Sequence, residues 1–152
     1  MNSKQITLFP EERLLFIIND NVIDGTTRFQ KYGFLLFKQY QKELAELKIS
    51  YPDFNFYDDW KSYCFGPYSE ELDHDIQSCV KNGILEEYVM EGKTNYKVYQ
   101  LTLKGRVKWR KIFWNTTDEV IKINDKIRNL QHIKLIELLK QIHEKYPKFH
   151  TS

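Results

Sequence analysis

Residues 63–85 read YCFGPYSEELDHDIQSCVKNGIL, and this stretch decides the fold. Tyr63 and Phe65 end an aromatic run that reads in part as a strand, and Gly66-Pro67 reads as a sharp turn. Ser69 is a good N-cap, with its hydroxyl placed over the Leu72 amide. Leu72, Ile76, Cys79 and Val80 recur at helical spacing, and Asn82-Gly83 supplies the stop. The spacing predicts one amphipathic helix over 69–81, followed by a strand. The outward face of that helix carries Glu70, Glu71, Asp73 and Asp75, an unusual surface for any helix meant to meet a polyanion.

Working outward, Phe9-Pro10-Glu11-Glu12 opens an earlier helix, with proline and two acids in its first turn. Leu14 to Ile18 are all apolar, so this helix is expected to be buried on most sides, and Asn19-Asp20-Asn21 ends it. Asp24-Gly25-Thr26-Thr27 gives cap signals for a second helix, running from about Arg28 into the forties. Phe54 to Phe65 is aromatic and partly alternating, and an extra strand is expected near 56–65. Ile84–Val89 and Tyr96–Leu101 flank a Gly-containing turn and predict a β-hairpin. Thr102 caps a helix from near Leu103, and two more helices are expected at Thr117–Leu130 and His132–Lys145, the last stopped by Tyr146-Pro147. The class is α+β, mostly α. Three helices, a hairpin and further helix give the order of a winged helix-turn-helix over residues 1–102, with a two-stranded wing at about 85–101. Residues 103–152 then form a C-terminal helical extension that packs on it or forms a dimer interface.

With 152 residues, 41% of them apolar and 29% charged, one core of ordinary density is expected. No apolar run approaches the roughly 18 residues of a membrane span, and the N-terminus has no signal layout, so a cytoplasmic protein without membrane contact is expected. Cys64 and Cys79 match no zinc spacing, and Cys79 falls on an apolar face. His132 and His143 share a helix face, which fits surface or dimer packing better than metal binding. No nucleophile with a base, no phosphate-binding glycine loop and no His-Glu-x-x-His is present. A non-enzyme without metal or cofactor is expected.

Charge is unevenly spread. Residues 1–100 hold 11 Lys/Arg against 16 Asp/Glu, a balance of −5, whereas residues 101–152 hold 12 against 5, a balance of +7. The segment KGRVKWRK places Lys104, Arg106, Lys108, Arg110 and Lys111 within eight residues without an acid, with Trp109 among them to stack or to pack. Lys93 and Lys97 on the hairpin add wing candidates for phosphate. Arg28 and Lys31, with Gln30, form a smaller cluster for which pairing with nearby carboxylates is the simpler role.

Four pieces together resemble the YwgA-like winged-helix proteins: GTTRFQKYGFLL with its Arg-x-Gln-Lys, FGPYSEELDHDIQSCVKNGIL, YQLTLKG, and the tail LIELLKQIHEKYPKF followed by Thr151-Ser152. The Gly-Pro-Tyr-Ser region is also similar to that of SocA-type antitoxin (Panacea) proteins. The resemblance implies a winged-helix fold without known catalytic activity, in predicted regulators or in modules acting through protein contacts. Two functions follow. One is a DNA-binding transcriptional regulator, contacting phosphates through 104–111 and the wing, as a homodimer paired through 117–145. The other is an adaptor or antitoxin-like module whose acidic helix meets a basic protein partner such as a cognate toxin.

Overall fold

The computed structural model describes residues 7–92, 95–115 and 117–149. The chain is α+β and mostly helical, with two small antiparallel sheets. It opens with a 3-10 turn at Pro10–Leu14 and a single α-turn, α1 (Leu15–Ile18). The entry is tight because the Glu12 carboxylate reaches back to accept from the Phe9 amide at 3.0 Å. Leu14 to Ile18 are all buried, as their unbroken apolar run requires.

β1 (Ile23–Asp24) is two residues long and pairs with the later hairpin, Ile23 opposite Tyr99. So short a strand leaves no alternation to read. α2 (Thr26–Gln39) then ends where the sequence predicts continuation. Tyr40 leaves helical geometry at φ −124°, ψ 34°, and α3 (Gln41–Ser50) sets off as a separate helix. Good helix formers on both sides of Tyr40 hide this break from a propensity reading.

The extra strand expected near 56–65 is present but confined to three residues. Residues 51–60 are irregular, and they bury Tyr51, Phe54, Tyr57 and Trp60 as separate plugs. The Trp60 indole N–H donates to the Tyr57 carbonyl at 2.8 Å, and Phe54 meets Phe16 edge-on at 5.0 Å. Only Lys61–Tyr63 is strand (β2), and it pairs with β3 (Gly66–Tyr68) around Cys64-Phe65. Gly66-Pro67 therefore lies in a strand rather than forming the turn. A proline is tolerated because this ladder has only two strands and an open edge. Gly66, at φ +99°, supplies the backbone conformation that a side chain would resist.

α4 (Glu70–Lys81) forms as its sequence predicts. The Ser69 hydroxyl accepts from the Leu72 amide at 3.0 Å, and Leu72, Ile76 and Cys79 are fully buried. Its end is a left-handed Gly83 (φ +77°), with the Ile84 amide bonded back to the Cys79 carbonyl at 2.8 Å. β4 (Leu85–Met90) and β5 (Tyr96–Leu101) pair as the expected hairpin, Tyr88 opposite Val98 and Val89 opposite Lys97. The sheet order is β1-β5-β4.

Thr102 turns the chain into α5 (Leu103–Asn115), accepting from the Gly105 amide while its hydroxyl donates toward the Gly83 and Ile84 carbonyls. α6 (Thr117–Gln131) and α7 (Leu135–Lys145) follow, then a 3-10 turn at Pro147–Phe149. α6 packs on α1 and α3, and its stripe Val120, Ile123, Ile127 and Leu130 is buried in the same core as α1, α2 and α4. Of the α7 stripe, Leu138 and Ile142 are buried. Among the described residues no helix is long and apolar enough to cross a membrane.

Candidate nucleic-acid interface

α4 is held against the body of the protein by two of the four sequence motifs that carry the resemblance, Arg-x-Gln-Lys and Gly-Pro-Tyr-Ser, which form one joint. Gln30 on α2 clamps Ser69 from both sides. Its amide N–H donates to the Ser69 carbonyl at 2.9 Å, and its carbonyl oxygen accepts from the Ser69 amide at 2.8 Å. Lys31, only 2% exposed, donates to the Pro67 carbonyl at 2.7 Å. Burial pushes the Lys31 amine down to about 8, against a weaker opposing influence from Cys64. The expectation that Arg28, Gln30 and Lys31 pair with carboxylates is thus overturned. Gln30 and Lys31 serve backbone oxygens that the β3–α4 corner leaves buried, and the Arg28 guanidinium reaches the Tyr32 hydroxyl at 3.3 Å.

The four acids of α4 do not form one outward patch. Asp75 is 5% exposed, and its placement on the outward face is corrected. Its Oδ2 accepts from Arg13 Nε at 2.8 Å and from the Tyr57 hydroxyl at 2.7 Å. Arg13 also binds Glu71 at 2.9 Å and lies 4.1 Å above the Tyr57 ring. Burial alone would lower the Arg13 guanidinium, but the bonds to Asp75 and Glu71 and the charges around them hold it above its ordinary value. Tyr57 is pushed well up by burial and by the Asp75 charge. Glu70 pairs with Lys61, and Asp73 accepts from the Tyr68 hydroxyl at 3.1 Å. Asp59, from the preceding loop, completes the cap by accepting from the Ser69 hydroxyl and the Glu71 amide. No local sequence signal marks Arg13, Tyr57 or Asp59, because each meets α4 across a gap in sequence.

What α4 leaves exposed beyond its first turn is His74, Gln77 and Lys81. The basic segment approaches this end of the helix. Lys104 donates from Nζ to the Asn82 carbonyl at 3.0 Å, a cation at the negative end of the helix dipole. Lys111 is exposed and lines, with Lys104, the groove of about 460 Å³ that reaches Asn82. Glu11 and Glu12 line it as well.

The remaining basic candidates divide. Lys108 is half-buried and pairs with the buried Glu12 at 2.9 Å, so its charge is already committed. Arg106 pairs with Asp20 at 3.2 Å, and Arg110 is exposed. Trp109 packs, stacking on Phe113 at 5.3 Å and donating to Asn19 Oδ1 at 3.1 Å. On the hairpin, Lys97 sits 3.7 Å from Glu87, and Lys93 lies outside the described residues. No group of three His, Cys, Asp or Glu side chains among the described residues is placed to hold a metal ion. No protein-family model matches the chain, and no curated protein or solved structure is significantly similar to it.

Proposed function

We propose that the chain is a non-enzymatic winged-helix protein that binds duplex DNA at the C-terminal end of α4. The sheet order β1-β5-β4, with α4 directly before the β4–β5 hairpin, supports the winged-helix reading. The observation that carries the DNA reading is the Lys104–Asn82 hydrogen bond, because it brings the basic segment to the acid-free half of α4. There Lys81, Lys104 and Lys111 offer charge to phosphates, and Gln77 offers a donor and an acceptor of the kind that base edges take. Arg110 farther along α5 adds long-range attraction for the same polyanion, whereas Arg106 and Lys97 are paired with Asp20 and Glu87. The adaptor reading through Glu70, Glu71, Asp73 and Asp75 has less support, since each of the four already has a partner within the chain.

Fluorescence anisotropy with a labelled random-sequence duplex over a salt series tests the proposal. Binding is expected at low salt and should fall steeply as salt rises. Lys81, Lys104 and Lys111 changed together to Gln should flatten the log–log slope by about 0.9 for each phosphate no longer neutralised. Lys108 is left out of that set because removing it would strand the buried Glu12 and cost stability. A slope unchanged by the triple substitution, or no binding at low salt, overturns the reading.

A further inference from the structure

A second surface shares no residue with the α4–α5 corner and does not depend on the DNA reading. Between the Cys64–Pro67 corner of the small hairpin and α7 runs a groove of about 440 Å³, in the range that takes a small ligand or a few apolar side chains. Phe65, at 59% exposure, and Ile136, at 75%, stand open on it, and Leu139 and Tyr146 line it as well. Single exposed apolar residues need no explanation, but convergent ones around a concave surface do.

The walls are held in place before anything binds. The Pro67 carbonyl is fixed by the buried Lys31, and the Ser62 hydroxyl donates to the Lys148 carbonyl at 2.6 Å, tying the hairpin to the tail. Tyr146 rests edge-on against Phe34 at 5.2 Å. A groove so braced would lose little conformational freedom on binding.

Charge selects the occupant. No acidic side chain lines the groove among the described residues, whereas Lys140 and His143 do. Glu137 and Glu144 are also exposed on α7 but do not line it. A second copy docked with this face on itself would bring another Lys140 and His143 and no carboxylate from the groove lining, because a two-fold interface uses the same patch twice. We propose that the groove docks a segment of a partner protein that combines apolar anchors with carboxylates.

The two cysteines supply the readout. Cys64 is exposed and lines the groove, while Cys79 is buried, with its thiol pushed well up by burial and the nearby acids. Ellman's reagent on the native chain should therefore report Cys64 alone. A randomised dodecapeptide library is selected on the full chain and counter-selected on an Ile136→Glu, Lys140→Glu double variant. Both positions are exposed, so the variant should fold, and circular dichroism checks that it does. Enriched peptides are expected to pair apolar residues with net negative charge and to slow the Cys64 reaction. They should bind Lys140→Glu about tenfold more weakly. Absence of enrichment, or peptides that are neutral, basic or without effect on Cys64, would sink the proposal. So would slowing of Cys64 by the protein's own concentration, which would identify a second copy as the occupant.

Discussion

Lys31 is a charged group in a place that disfavours charge. Its amine is buried under the Pro67 carbonyl, and its value near 8 lies below the ordinary 10.5 of a lysine. Between those values the unfolded chain binds the proton more readily than the folded one, so stability must rise with pH there. The penalty is fully present below about pH 8 and is relieved above it. From about pH 7 to about 9.5 the native chain should gain about 2 kcal/mol relative to Lys31→Met, read as the difference between their urea stabilities, because the raised thiol of buried Cys79 loses stability over the same window in both chains. The window stops before tyrosines of the unfolded chain ionise near pH 10. Asp75 sets the opposite case. Asp75→Asn would leave Arg13 without its buried partner and weaken the Tyr57 bond, at a cost of about 3 kcal/mol. Glu71→Gln, at an exposed ion pair on the same arginine, should cost less than about 1 kcal/mol. Equal urea midpoints for these two variants would remove Asp75 from the centre of the network.

At the scale of elements, the joint between α4, the hairpin and α5 depends on close backbone approach. A Cβ built on Gly105 would lie 2.2 Å from the Ile84 carbonyl oxygen, inside any tolerable separation. Alanine is a better helix former than glycine by about 1 kcal/mol. Gly105→Ala is nonetheless expected to destabilise by about 2 kcal/mol or more, because α5 would have to move off the start of β4. Chemical denaturation measures the sign directly, and a stabilised variant would show that the approach is softer than the geometry implies. The glycine of LTLKG is thus explained by packing alone. The same holds for Gln30 in Arg-x-Gln-Lys, whose amide serves the backbone at Ser69.

Across the whole molecule, charge is sorted rather than merely uneven. Negative groups cluster at the start of α4, where Arg13 and Lys61 offset half of them, and at its other end Lys104 and Lys111 share a groove with Glu11 and Glu12. Changing Glu70 and Glu71 to Gln should therefore leave DNA association unchanged or tighter, as read by anisotropy in the same salt series. Selective loss of one DNA sequence in that variant would make the first turn of α4 a reader after all. The α6 stripe that could have met a second chain is closed on the chain's own core. On α7, by contrast, Ile136 stays exposed beside Phe65, on the groove proposed above to take a partner.

The strongly periodic segments were legible in the sequence alone. α4 with its Ser69 cap and Gly83 stop, the β4–β5 hairpin and the start of α5 at Thr102 each follow from local chemistry, because caps, turns and amphipathic stripes act within a few residues. Tertiary structure decided the rest. β1 exists only because β5 offers it an edge, and the aromatic run of 51–60 became a set of core plugs because burying its rings outweighs pairing its backbone. Asp75 looked like a surface acid until Arg13 and Tyr57, 62 and 18 residues away, closed over it. The basic run 104–111 looked uniform until Asp20 paired with Arg106 and Glu12 with Lys108. Periodicity shows which side of a helix is wet, but only the assembled chain shows which charges on that side have already found a partner.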